Sequence, residues 1–325
     1  MKRVEKNRWL FLAFVLVLVV LYLLSSTNLI LHDKKTEIFP ISVIVEKTSD
    51  EDYEKLRKGM DRAAEEFHVD LSFITLYEPN DQTQQFQLIS REISDGARAV
   101  ILSPANPQEA GMGLETMVLN SPLIILGNLL PARQVKVGIS IDYQEAGRLL
   151  GEAARENSSA LPVYMLTEGL EYGYAQEIYD GVCQVLEGNG YSLVLHTIHS
   201  PEDCRRLIES TVYPQKQAAV LIALDEESLE RAARIMEDST VYAENIRALY
   251  GIGGTTRLLN YLDKGIIRGM AVHNWFDEGY LSIEKAVSVI QGESWEKEEI
   301  TMEVYYITRD DLRKPAYEKM LYPID

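Results

Sequence analysis

The chain has 325 residues, 46% of them apolar, and its 50 acidic and 32 basic side chains give a net charge of −18. Acidity on this scale argues against nucleic acid and anionic lipid surfaces as partners. Two cysteines, Cys183 and Cys204, are too few for a disulfide scaffold; both fall on predicted helices and read as separate thiols, although an outward-facing compartment would permit a bridge.

The amino-terminal segment carries a membrane signal. Trp9–Leu24 (WLFLAFVLVLVVLYLL) is sixteen consecutive apolar or aromatic residues, preceded by Lys2, Arg3, Lys6 and Arg8 against one acid, Glu5. The positive-inside bias keeps such a flank cytoplasmic. Sixteen helical residues rise about 24 Å, short of a hydrocarbon core of about 30 Å, and Ser25–Leu31 extends the run far enough to span. The reading is a cytoplasmic terminus over 1–8, a single-pass anchor over 9–31, a linker over 32–37 and an extracytoplasmic folded domain. A cleaved signal peptide is the competing reading, for which Ser25-Ser26-Thr27 is a poor small-x-small site; no cysteine follows that could carry a lipid. About 290 residues remain, comfortable for two lobes.

From Ile38 short β-rich runs alternate with amphipathic helical patterns. Ile41–Val45 reads as a strand and Ser49–Phe67 as a helix, capped by Ser49, with Tyr53, Leu56, Met60, Ala64 and Phe67 on one face. The unit recurs as strand Leu71–Leu76 with helix Gln82–Ser94, Ala99–Leu102 with Gln108–Leu119, and Leu123–Leu126 ending at Gly127-Asn128; strand Val135–Ile141 then leads to helix Gln144–Glu156. A second series pairs Val163–Leu166 with Gln176–Glu187, Leu193–Ile198 with a helix capped by Ser200 before Pro201, and Ala219–Leu224 with Glu226–Met236. Ala248–Ile252, helix Thr255–Lys264, Met270–His273, helix Asp277–Gln291 and one alternating strand, Ile300–Tyr306, close the chain. Nearly continuous apolar strands alternating with helices predict an α/β fold of two doubly wound parallel-sheet lobes. Ligands in such sheets sit beyond the carboxyl ends of the strands, where the loops here are rich in Tyr, Asp and Asn. Aromatic faces with carboxylate and amide partners suit a sugar or other polyol.

The ordered segments ISVIVEKTSDEDYEKLRKGMDRAAEEF, ISREISDGARAVILSPANPQ, SPLIILGN, ISIDYQEAGRLLGE, AAVLIALDEESLERAARIM, LYGIGG and DKGIIRGMAVHNWFDEGYLSIEKAVSVIQGE resemble the type I periplasmic sugar-binding proteins. That superfamily includes ribose-binding proteins and the effector domains of lac-repressor-type regulators; no helix-turn-helix precedes the domain here. The resemblance implies three crossovers, with lobe 1 over 38–141 plus 274–299 and lobe 2 over 142–273 plus 300–325. It also exposes departures. Asp52 and Tyr53 stand where paired aromatics are expected, Gly127-Asn128 where an Asp and a basic residue are, Ile178 for an Arg, Leu224-Asp225 for Asn-Asp, Gly253 for an Asp and His273 for a Gln, while Asp142 is kept.

The candidate ligand contacts are Tyr53, Asn106, Asn128, Asp142, Asp225, His273 and Trp275. Each has a plainer role open to it. Asp142 and Asp225 sit where helix caps belong, Tyr53 lies on an apolar helix face, and His273 could pack or serve a hinge. Tyr172 and Tyr174 face the same loop cluster. His196-x-x-His199 points to opposite faces of a strand and is no metal pair; Gly251–Gly254 lacks the dinucleotide fingerprint. No nucleophile, base and orienting acid recur at recognisable spacing, so the sequence calls for no enzyme, cofactor or metal. Three roles stay open: an accessory sensor presenting a sugar-like ligand to a histidine kinase, the binding component of an ABC permease, and a degenerate interaction module. Only six residues, 32–37, follow the anchor, a reach of at most about 20 Å, which favours lateral contact with a membrane signalling partner.

Overall fold

The structure is a computed structural model in which residues 2–26, 37–45, 51–78, 81–157, 161–170, 174–212, 214, 218–292 and 296–323 are described. It divides into two units, Met1–Ile38 and Phe39–Asp325. The first holds one helix, α1 (Lys2–Ser26). Its described side chains, Trp9 and those of residues 11–23, are all exposed, and among the described residues no helix is long and apolar enough to cross a membrane.

The second unit begins with β1 (Phe39–Val45), α2 (Glu51–Phe67), β2 (Val69–Thr75), α3 (Gln82–Ser94), β3 (Ala99–Leu102), α4 (Pro107–Thr116), β4 (Leu123–Leu126) and β5 (Val135–Ile141). The chain then forms α5 (Tyr143–Asn157), β6 (Val163–Thr167), α6 (Ala175–Leu186), β7 (Leu193–Thr197), α7 (Pro201–Leu207), β8 (Ala219–Ala223), α8 (Glu226–Asp238) and α9 (Thr240–Asn245). It ends with β9 (Ile246–Ile252), α10 (Thr256–Asp263), β10 (Gly269–His273), α11 (Trp275–Gln291), β11 (Glu298–Met302), β12 (Val304–Ile307) and α12 (Pro315–Leu321). Two six-stranded sheets result, ordered β11-β5-β4-β3-β1-β2 and β12-β10-β9-β8-β6-β7. Among the described residues every pairing is parallel except β10 with β12.

The apolar pattern explains this order. Strands β3, β6 and β8 are buried at every position, as a sheet covered by helices on both faces requires. Edge strand β2 alternates between half-buried and exposed residues, and edge strand β7 is only half-buried. Asp81, Asn106, Ser200 and Asp225 each accept a hydrogen bond from a first-turn amide of the helix they precede.

The chain changes lobe at Asp142, Asn274 and Glu303. The third of these differs from the expectation at 299/300. Ile300–Tyr306 reads as one alternating strand, yet residues 298–302 pair with β5 in the first sheet and 304–307 with β10 in the second. Alternation reports which residues face inward and is blind to which sheet they face. Helix α11 begins at Trp275, two residues before the expected start, because Asn274 Oδ1 accepts from the Asp277 amide at 3.1 Å. Helix α2 begins at Glu51; the predicted cap, Ser49, lies outside the described residues. Cys183 and Cys204 are buried, unpaired thiols.

Two helix pairs pack with their backbones nearly touching. In lobe 1, α2 meets α11 through Gly59 and Gly279, where a Cβ would overlap the carbonyl groups of Phe276 and Leu56. In lobe 2, α5 meets α6 through Gly147 and Gly181, where it would overlap those of Ile178 and Gln144. Glycine is the only residue that permits this approach, and each lobe uses the reciprocal pair once.

Candidate functional site

Parallel strands send their carboxyl ends, and the amino ends of the following helices, to one edge of each sheet. In both lobes that edge meets the other lobe. Lys55 Nζ on α2 donates to Gly254 O after β9 at 2.6 Å, the Thr256 amide of α10 donates to Glu51 Oε2 at 2.6 Å, and Lys58 Nζ donates to Pro323 O at 3.2 Å.

At this edge the rings of Tyr143 and Tyr174 stack, with centroids 4.3 Å apart and planes 16° from parallel. Tyr143 is the first residue of α5 and Tyr174 immediately precedes α6, so the glycine contact between the helices sets the distance between the rings. Both rings are half-buried. Burial first, then the Tyr174 ring and the carboxylates of Glu278, Glu177 and Asp52 push the Tyr143 phenol well above its usual range. Burial, Glu226, Asp225, Glu227 and Asp52 raise that of Tyr174. Carboxylates of both lobes thus act on the stack electrostatically, Asp52 and Glu278 from lobe 1 and Glu177, Asp225, Glu226 and Glu227 from lobe 2.

Glu226 is the most perturbed of these acids. Burial, followed by the facing Asp52 carboxylate, raises it to about 7, against the pull of hydrogen bonds from the Gly254 and Thr255 amides at 3.4 and 3.3 Å. Asp52 is 3.4 Å from Lys55 Nζ, the cation that also reaches across to Gly254. Glu177 is raised by burial and by Asp142 and Asp180.

The residues named from sequence fall into four groups. Tyr53 is 7% exposed and packs in the lobe 1 core, edge-on to Phe73 at 6.3 Å. The helix phase that buries Tyr53 turns its neighbour Asp52 toward the other lobe. Asn106 caps α4, accepting from the Glu109 amide at 3.1 Å, and its own amide is held by Gln82 Oε1 at 3.0 Å; Asn128 is exposed in the turn after β4. Both follow the carboxyl end of a lobe 1 strand, Asn106 after β3 and Asn128 after β4. Asp142 and Asp225 are at the edge and act as caps: Asp142 Oδ1 accepts from Glu145 N at 2.8 Å, while Asp225 accepts from Ser228 N and Glu168 N, each at 2.8 Å. His273 and Trp275 are brought together with ring centroids 4.9 Å apart and planes at 82°. His273 Nε2 is 2.8 Å from Glu278 Oε2, a pair buried at the second crossover. Tyr172 lies outside the described residues.

Sequence reasoning missed Tyr143, Glu226 and Glu278. The available signal was position, because Tyr143 and Glu226 each follow a capping aspartate at the carboxyl end of a strand. Planar aromatic faces surrounded by hydrogen-bond acceptors can stack on a ligand and bind hydroxyl or amino donors. Among the described residues no cluster of His, Cys, Asp and Glu is arranged to hold a metal.

A family profile described as a periplasmic binding protein domain matches residues 41–294. No curated protein sequence matches the chain. Among solved structures, an ABC transporter solute-binding protein from Burkholderia graminis in complex with D-arabinose is 17% identical, covers 86% of this chain and 99% of its own, and superposes with a TM-score of 0.74. One from Bacillus halodurans with bound myo-inositol is 18% identical over 88% and 99%, TM-score 0.73. A complex of the TorS sensor domain with TorT, solved without ligand, is 18% identical over 88% and 98%, TM-score 0.74. The chain belongs to the periplasmic binding protein domain family.

Proposed function

We propose that this family member is an extracytoplasmic solute-binding protein for a small polyhydroxylated ligand, held on the membrane by its amino-terminal helix and presenting ligand state to a membrane signalling partner. The observation that carries the binding reading is the Tyr143–Tyr174 stack at the meeting of two lobes, under the electrostatic influence of carboxylates from both, Asp52 and Glu226 among them. A sugar has apolar C–H faces for the rings and hydroxyl donors for the carboxylates. The two known complexes with D-arabinose and myo-inositol support this ligand class. The anchor rests on the sixteen-residue apolar run and its basic flank, on a helix whose described side chains are exposed. The signalling role is supported by the likeness to the TorS–TorT complex.

The test is calorimetry and thermal shift on the full chain with pentoses, hexoses and inositols. The expected result is a ligand that raises the melting temperature and loses that effect in Tyr174→Ala. If none does so, the degenerate interaction module replaces this reading. The solute-binding proteins among the similar structures are named for ABC transporters, which favours a second reading, delivery to a permease. Cross-linking in whole cells separates the two. Recovery of permease subunits, with uptake lost on deletion, would replace the signalling role.

A further inference from the structure

A cavity of about 740 Å³ opens at the amino-terminal edge of the first sheet, where Arg98 precedes β3, Pro122 precedes β4 and Arg133 and Gln134 precede β5. This is the edge opposite the tyrosine stack. Three cations, Arg98, Arg133 and Lys136, line it together with Val118, Leu119 and Ile290, and no acidic residue does. Such a composition is unexpected in a chain with 50 acidic and 32 basic residues. Several other cations are paired: Arg148 is held by Glu145 and Glu152, Arg231 by Glu168 and Lys285 by Glu298. Among the described residues neither Arg133 nor Lys136 has a carboxylate partner. Beside them Val118 is 92% exposed, a large apolar side chain left in water.

The same edge is where the chain enters the domain. Strand β1 starts there at Phe39, the Arg98 guanidinium lies 5.1 Å from the Phe39 ring centroid, and the Arg98 amide donates to Pro40 O at 2.8 Å. The first residue of β1 therefore lies next to the cationic cavity.

We propose that this pole of lobe 1 docks on an anionic lipid surface, with headgroup phosphates between Arg98, Arg133 and Lys136 and Val118 entering the interfacial layer. The inference rests on the membrane anchoring proposed above. Charge complementarity selects the occupant, and the exposed valine with the adjoining chain entry selects a membrane over a free anion. The remaining surface, strongly acidic, is repelled by the same lipids, so the local patch sets an orientation even though the whole chain would avoid such a surface.

The test uses the full chain reconstituted in phosphatidylglycerol-containing or pure phosphatidylcholine vesicles, with a fluorophore on Val118→Cys or, as a lobe 2 control, Val241→Cys. The two native thiols are buried and resist labelling. Headgroup-depth quenchers should quench the Val118→Cys probe on anionic vesicles and leave the Val241→Cys probe untouched. Removing two cations with Arg133→Gln and Lys136→Gln should lower the docked-to-free ratio about 30-fold, at about fivefold per charge. Equal quenching on phosphatidylcholine, no quenching at Val118→Cys, or insensitivity to the double substitution overturns the proposal. So does protection of the cavity by inorganic phosphate with no quenching on vesicles, which would mark a free-anion site. Retention on vesicles after alkaline extraction reports the anchor separately: retention without quenching refutes the docking alone, and loss of retention refutes the anchor.

Discussion

Gly181→Ala probes the packing that positions the tyrosine stack. A Cβ at Gly181 would overlap the Gln144 carbonyl oxygen and lie 2.8 Å from the Arg148 amide nitrogen, both on the backbone of α5. Backbone cannot swing aside as a side chain can, so α5 and α6 must separate by about 1 Å to restore ordinary contact. Ala146, Leu150, Ile178 and Val182 fill this interface at 0% exposure. A gap of about 1 Å forfeits between a quarter and a half of each dispersion contact, and overpacking of this kind costs about 1–3 kcal/mol. Alanine recovers about 1 kcal/mol in helix propensity, leaving a net loss of about 1 kcal/mol at the middle of that range, or about 2–3 °C in melting temperature for a domain of this size. The separation should also spread the Tyr143–Tyr174 rings and weaken ligand binding at least tenfold. Scanning calorimetry with ligand titration measures both. Gly188→Ala is the control, since nothing lies within 4 Å of its Cβ, and it should melt as the parent does. A Gly181→Ala protein that melts within about 1 °C of the parent, with unchanged affinity, would refute the reasoning.

Glu226→Gln addresses the carboxylates. Burial raises Glu226 from 4.5 to about 7, so the folded protein binds a proton that the unfolded chain releases, and stability falls as pH rises from about 4.5 through 7. With allowance for the solvent that still reaches the group, the penalty at pH 8 is about 2 kcal/mol; the glutamine variant should be more stable by that amount at pH 8 and unchanged at pH 4.5 in urea titrations, and a profile parallel to the parent's contradicts the assignment. Asp225→Ala removes two hydrogen bonds to a carboxylate, from Ser228 N and Glu168 N, and should cost about 2–3 kcal/mol in chemical denaturation; a loss below about 0.5 kcal/mol would show the cap to be dispensable. Gln85, 0% exposed, donates to Ser103 O at 2.8 Å and accepts from Ala105 N at 3.2 Å and Gln82 Nε2 at 3.0 Å. Gln85→Leu should cost about 3 kcal/mol by stranding these groups, and it should speed amide exchange at Ala105; unchanged exchange there would mean that other contacts hold the loop.

Legibility in the sequence followed the range of the interaction. Strands such as Ala99–Leu102 and Leu123–Leu126 are readable because their apolar runs are local, and helix Gln82–Ser94 because its inward residues recur within a turn. The short helices α9 and α12 bury too few residues to leave a periodic trace. At the site, Asp142 and Asp225 are readable as cap or contact, and only their 2.8 Å bonds to first-turn amides show the capping role occupied. Tyr53 and Asp52 differ by one residue and about 100° of helix phase, which places one in the core and the other facing Glu226. Tyr143 and Tyr174 meet only because α5 packs on α6, a pairing that no window along the chain contains.

Of the three lobe crossings, the first and third are not independent strings. Ile141 and Met302 are register partners in the β5–β11 ladder, and the Asp142 amide still donates to Met302 O, at 3.2 Å, just where both strands leave the first sheet. Two strands laced together in this way act as a torsion bar. Twisting them keeps the ladder, whereas shearing or splaying them breaks it. The lobes thus inherit one soft rotational degree of freedom with a restoring torque, and a bound ligand would work against a spring whose stiffness is written in residues far from the tyrosines.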